Sequence, residues 1–298
     1  MSVRAPPPVD QLERGPPLLR GGASERGRGA AAVSVRRYDT VISGCRAVVA
    51  GAGVVDADVA VLDGRVAAVL GAGESVDAAE TIDARGLYVL PGCVDSHTHW
   101  GYKGDFADQC RADSRAAALG GTTTVHLLHR ATPGGIHEAR RIAGDLSSVD
   151  FFMTPSVFDP QTAAQVPEWM DGEGHPSIKF YLAYRALESA PEGDDWNELD
   201  DGLFLDTLRA MSGRHGALAC VHAENAEIIN HAWPRARGRA SGGLAAWEAA
   251  HPAVGEAEAI HRAGLLAESA EVPLYLVHLS GRASLEALAR VRASWPAT

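Results

Sequence analysis

Two rhythms of apolar and polar positions divide the chain. From Tyr38 to about Pro91 the apolar residues come in short β-rich runs broken by Gly and Asp: Thr40-Val41-Ile42, Arg46 to Val49, Asp58 to Leu62 and Val66 to Leu70. Asp63-Gly64 between the last two is a hairpin signal, because a two-residue turn of matching twist needs positive φ at both positions. Residues 38–91 are therefore expected to form a small antiparallel β domain, the N-terminal part of a β-sandwich.

After Pro91-Gly92 apolar runs of strand length alternate with helix-like segments. The runs are Gly92 to Ser96, Thr122 to Leu128, Asp150 to Val157, Ser177 to Tyr184, Ala217 to His222 and Pro273 to Leu279. Amphipathic stretches lie between them, among them Phe106 to Leu119, Leu203 to Met211, Glu256 to Ser269 and Ser284 to Val291. Near-continuous apolar strands alternating with helices predict an α/β fold, a parallel sheet covered by helices. Six such units are expected over residues 92–298, whereas a closed (β/α)8 barrel of the TIM kind takes eight. The expectation is a barrel with about six of its eight units present.

Composition changes this picture mainly at the N-terminus. Residues 1–37 hold seven arginines against Asp10, Glu13 and Glu25, with Pro and Gly clusters and no periodic apolar positions, and read as a disordered extension. The chain as a whole carries a net charge of -11, which disfavours nucleic acid and anionic membrane and leaves small molecules as the expected partners. No apolar run is long enough to cross a bilayer and no signal-peptide core follows the basic residues, so a cytoplasmic protein is expected. Cys45, Cys93, Cys110 and Cys220 are scattered, with no C-x-x-C pair, and read as reduced core residues.

The candidate chemistry lies at the C-terminal ends of the expected strands, where barrel active sites are built. In Asp95-Ser96-His97-Thr98-His99 two histidines at i and i+2 of an extended segment point the same way and can reach one cation. Lys179 interrupts the apolar run Ile178-Lys179-Phe180-Tyr181-Leu182. Burial pushes such an amine toward neutrality, and a neutral amine can capture carbon dioxide as a carbamate, a two-oxygen anion able to bridge two metal ions. His222 ends the fifth run and His278 lies near the end of the sixth. Taken singly, each of these has an ordinary packing explanation; together, on strands whose ends converge, they predict a metal centre. Asp95, Glu224 and Asn225 are placed to hydrogen-bond ligand imidazoles. His126 and His129 flank the end of the second strand and read more readily as packed or loop residues.

These residues resemble the cyclic amidohydrolases, the family of dihydropyrimidinase, hydantoinase, allantoinase and dihydroorotase. The matching stretches are Leu90 to His99, Ser114 to Thr124, Ser177 to Tyr184, Val221 to Asn225 and Val277 to Ser280, in family order. The segment Lys179 to Tyr184 is most similar to the dihydropyrimidinase/hydantoinase branch, which implies that Tyr184 binds substrate and polarises its carbonyl. The resemblance further implies two divalent ions, zinc the expected metal. His97 and His99 would hold one, His222 and His278 the other, and carboxylated Lys179 would bridge them. A hydroxide shared by the ions would open a ring amide such as a dihydropyrimidine or hydantoin. A homotetramer is implied too.

An allantoinase-like or dihydroorotase-like hydrolase is the alternative within the family. A non-catalytic relative is the alternative outside enzymes, set against it the retention of all five ligands. The family's strand-eight aspartate, a metal ligand and proton shuttle, would fall beyond Thr298, so the chain is expected to be a fragment, poorly soluble and inactive by itself.

Overall fold

A computed structural model describes residues 37–101, 104–130, 135–185, 197–237 and 243–298. The extension expected over residues 1–37 lies outside them except for Arg37, which already belongs to the first strand. The chain divides into two compact units between Pro91 and Gly92.

In the first unit β1 (Arg37–Val49), β2 (Gly53–Leu62) and β3 (Arg65–Gly71) form an antiparallel meander. The Asp63-Gly64 turn has φ of 54° and 70°, as the hairpin signal requires. The two runs expected around Ser43-Gly44 are one strand: the register of β1 slips between Ile42 and Cys45. Buried Asp58 on β2 supports that irregularity, accepting the Gly44 amide at 2.6 Å and the Ser43 hydroxyl at 3.2 Å. The sheet is not wholly antiparallel, which corrects the sequence expectation. β4 (Asp77–Asp83) and β5 (Tyr88–Val89) both pair with β1 in parallel, giving one five-stranded sheet with the path β3-β2-β1-β4. Parallel partners come from a returning connection, which hydrophobic alternation alone does not reveal.

The second unit is built on β6 (Cys93–Thr98), β7 (Thr122–His129), β8 (Asp150–Val157), β9 (Ser177–Tyr181), β10 (Leu218–His222) and β11 (Leu274–Leu276). They make a six-stranded sheet in sequence order, parallel throughout. Its connections carry α1 (Phe106–Leu119), α2 (Gly135–Leu146), the single turn α3 (Pro160–Ala163) with a π-helical turn at Glu168–Gly172, α4 (Asp201–Met211), then α5 (Ala226–Arg237), α6 (Gly243–Ala250) and α7 (Ala253–Ala270), and α8 (Arg282–Ser294) closes the unit. Side chains alternate across a strand. Ile178 and Phe180 of β9, Ala219 and Val221 of β10, and Leu274 and Leu276 of β11 join one apolar cluster with Phe204 and Leu208 of α4 and Ala259, Ile260 and Ala263 of α7. The helix packed there is thin on that side: a β-carbon built on Gly264 would stand 2.4 Å from Val291 Cγ1, so glycine sets how closely α7 and α8 approach.

Two strands end sooner than their apolar runs. β9 stops at Tyr181 and β11 at Leu276, so Tyr184 and His278 stand beyond the ladder, with φ of +64° and +38°. Cys45, Cys110 and Cys220 are buried free thiols as expected, whereas Cys93 is exposed, a correction to its reading as a core residue. No helix among the described residues is long and apolar enough to cross a membrane.

Candidate metal centre

The face of the parallel sheet opposite the helices presents the other alternation: His126 and Leu128 of β7, Thr154 and Ser156 of β8, Ser177, Lys179 and Tyr181 of β9, Cys220 and His222 of β10. It is buried but largely polar. Leu128, Cys220 and Val277 form a small apolar cluster on it.

At the C-terminal edge of this face the rings of four histidines run in an unbroken arc. His99 and His97 have ring centres 5.0 Å apart, His97 and His278 4.9 Å, and His278 and His222 4.6 Å. Tyr184 continues the arc at 5.2 Å from His222. Strands β6 and β10 and the segments that follow β6, β9 and β11 thus bring together residues up to 181 positions apart in sequence, His97 to His278.

Hydrogen bonds determine which nitrogens are free. His99 Nδ1 lies 2.8 Å from the Leu128 carbonyl, which can only accept, so Nδ1 carries the proton and Nε2 keeps its lone pair in the neutral ring. That Nε2 stands 3.2 Å from His97 Nε2, while His97 Nδ1 is buried without a hydrogen-bond partner. The separation is close to the ~3.3 Å edge of a tetrahedron of nitrogens about 2.0 Å from its centre. His222 Nε2 donates to Glu224 Oε2 at 2.8 Å, leaving Nδ1 unprotonated in the neutral ring. A carboxylate on a ring N–H is a usual partner of a metal-ligating imidazole.

Lys179 is 0% exposed, and its Nζ makes no hydrogen bond. It lies 4.7 Å from the centre of the Tyr181 ring, and the ladder sets Ser156 on one side and Cys220 on the other. Burial pulls its pKa down to about 7. Partial desolvation and neighbouring positive charge favour the neutral form of the histidines too, although only His222 of the four is buried and His278 is exposed. Desolvation first, then the Lys179 charge, lowers His97 to about 3; desolvation and the His222 charge lower His278 to about 4. His99 and His222 are lowered as well, chiefly by burial. The Lys179 charge acts on all four histidines. Neutral imidazoles and a poised amine are the protonation states that cation binding needs.

Among the described residues no three histidine, cysteine, aspartate or glutamate side chains meet at one ligating point.

Two expected partners behave differently. Asp95 accepts the main-chain amide of His97 at 3.0 Å, so its contact with the first histidine pair is through the backbone and not an imidazole. Asn225 bonds the Ile228 amide and Glu258 Oε2 instead of a ring. His126 packs, as its reading favoured: it donates through Nδ1 to the Ser96 carbonyl at 3.0 Å and accepts at Nε2 from Thr154 at 2.6 Å, which in turn meets Ser177 Oγ at 2.5 Å. That chain of bonds fixes the end of β6 next to His97. The Leu128 carbonyl that orients His99 had no signal in the sequence, since a main-chain acceptor carries none.

Comparison with known proteins bears on the same residues. No family model matches the chain. It is 33% identical over 259 residues to a D-hydantoinase of Rhizobium radiobacter, covering 83% of this chain and 53% of that protein. It is 34% identical over 264 residues to an allantoinase of Rubrobacter xylanophilus, covering 86% and 56%. Among solved structures the L-hydantoinase (dihydropyrimidinase) of Arthrobacter aurescens superposes with a TM-score of 0.72 at 29% identity, covering 86% of this chain and 56% of that one. The chain spans about half the length of the curated relatives it matches.

Proposed function

We propose, from the premise that this chain belongs to the cyclic amidohydrolase family, that it carries the metal-binding part of a hydrolase that opens cyclic amides. Water cleaves the ring C–N bond, its OH going to the acyl carbon and its other hydrogen to the leaving nitrogen. A single open-chain product then carries both the new carboxyl group, which ionises, and the freed nitrogen, which in a hydantoin or dihydropyrimidine becomes the end of a ureido group. Members of the hydantoinase family are metal-dependent amidohydrolases. The substrates proposed are hydantoins or dihydropyrimidines. Allantoin is the second reading, favoured by the likeness to allantoinases.

The observation that carries the proposal is the arc of four histidines together with a buried, unpartnered lysine whose charge reaches all of them. His97 and His99 would hold one divalent ion and His222 and His278 another, with a carboxylated Lys179 joining them and zinc as the metal. When bound, such ions lower the pKa of water and polarise a carbonyl. Each protein group then has its own task. Leu128 O and Glu224 keep the His99 and His222 rings turned with one nitrogen free. Tyr184, held beyond β9 in a left-handed conformation with its ring against His222, would direct its hydroxyl at the substrate carbonyl. The residues around Lys179 exclude water, which leaves the amine nucleophilic toward carbon dioxide near neutral pH.

The test loads chelator-treated protein with zinc in bicarbonate buffer, measures bound metal, and follows opening of hydantoin, dihydrouracil and allantoin by chromatography. Two zinc ions per chain, and a carbamate carbon signal on Lys179 with labelled bicarbonate, are expected. Zinc-free protein after loading, or unchanged uptake in Lys179→Ala, refutes the assignment.

A further inference from the structure

The main-chain ladder does not hold His278. β11 ends at Leu276, and the last bond toward β10 is from the Val277 amide to the Val221 carbonyl at 3.2 Å. His278 then takes a φ of +38°, a region that residues with a side chain occupy only when their surroundings hold them there. The restraint comes from α7. The Glu256 carboxylate, in the first turn of that helix, accepts the Ser280 amide at 3.0 Å through Oε1 and at 3.3 Å through Oε2, and Oε2 also accepts the Ser284 hydroxyl. Ser280 Oγ donates back to the His278 carbonyl at 3.3 Å. Glu256 thereby closes the turn between β11 and α8, whose N-cap, Gly281, offers no side chain for the purpose.

The same end of α7 holds the loop after β10. The Asn225 amide donates to the Gly255 carbonyl at 3.1 Å, and Asn225 Nδ2 donates to Glu258 Oε2 at 2.5 Å. Two loops, one leaving His222 and Glu224 and the other leaving His278, are therefore tied to the first turns of a single helix, at Gly255 and Glu258 and at Glu256. Their rings meet at 4.6 Å. We infer that Glu256 is a positioning residue: through Ser280 and Ser284 it sets His278 against His222, so that the first turns of α7 determine the spacing of the second histidine pair. This rests on the reading of that pair as cation ligands.

Cobalt(II) alone is the probe, titrated into the metal-free chain in bicarbonate buffer and followed by its visible absorption, alongside hydrogen exchange of the segment 277–281. Glu256→Ala is expected to weaken one of two cobalt sites by about 10- to 100-fold, the usual cost of losing a group that orients a ligand, while the other keeps its affinity. Exchange at Ser280 should rise with no change in β9. Glu256→Gln restores both: its oxygen accepts the Ser280 amide and its NH2 donates to Ser284 Oγ, so affinity returns near that of the parent chain. Should Glu256→Ala not fold, Ser284→Ala removes one of these bonds with little loss of volume, and the same site weakens to a smaller degree. Undiminished cobalt affinity in the variant that folds overturns the inference alone. Failure of the parent chain to bind cobalt overturns the metal reading and the inference with it.

Discussion

The two faces of the parallel sheet are both buried, yet they are built from opposite materials. Toward the helices β9 presents Ile178 and Phe180; on the other side the same strand presents Ser177, Lys179 and Tyr181. The first face is stabilised by removing apolar surface from water, and its residues could be exchanged for others of similar volume. The second face places polar groups out of water, which costs stability unless each finds a partner. His126, Thr154 and Ser177 do find partners, in one chain of hydrogen bonds. Lys179 Nζ, Ser156 Oγ and His97 Nδ1 do not. A strand that is optimised on one side and unsatisfied on the other points to where a ligand completes the structure.

Substitutions can break this comparison. The largest effect is expected from Lys179→Met. Uptake of the metal pair should disappear in titrations, while the metal-free chain should become more stable. The sign follows from the lowered pKa. Between about 7 and 10.5 the unfolded lysine holds a proton that the folded one does not, so the lysine's contribution to stability falls as pH drops through that window. Thermal melts in chelator should show the gain from Lys179→Met in full below pH 7 and fading by about pH 10. A gain that does not vary with pH would show that the amine pays no desolvation penalty.

Phe204→Ala tests the other face. Phe204 is fully buried and meets Phe180 edge-on at 4.9 Å, so its truncation should cost about 3–5 kcal/mol in urea titrations. Metal stoichiometry in the folded fraction should hold at its parent value; a loss would mean that the two faces are not separable. A smaller effect belongs to Asp200, whose carboxylate caps α4 at the Leu203 amide, 2.8 Å. Asp200→Ala should cost about 1 kcal/mol by the same measurement. Smallest is Arg141→Ala, which removes exposed pairs with Glu138 and Asp145 on α2 and should shift the midpoint by no more than about 0.5 kcal/mol.

The elements legible in the sequence are those whose period matches their environment. α1 spans Phe106–Leu119 and β8 Asp150–Val157, the segments the pattern marks out. The short α3, the π turn, and the parallel strands β4 and β5 leave weak traces. Their existence depends on partners distant in the chain. The candidate site was legible for a different reason. Histidine and lysine are improbable in apolar strands, so His97, His99, Lys179, His222 and His278 are conspicuous, and the likeness to cyclic amidohydrolases names them together.

Glu256 shows the limit of that legibility. An acidic residue in the first turn of a helix already has a reason to be there, in the helix dipole, so nothing in the sequence marks it as holding a loop 24 residues further on. Tyr184 and His278 mark a second limit, since their apolar runs continue past the point where the ladder stops and both adopt positive φ. The sequence by itself determined the alternation of strands and helices and the six parallel units, because these follow from local period, and it marked out the candidate site residues through the cost of burying polar groups and the family resemblance. Only the tertiary structure decided which nitrogens stay free, which carbonyl turns His99, and which helix holds His278. Those depend on directions and distances between segments that meet only when the sheet has formed.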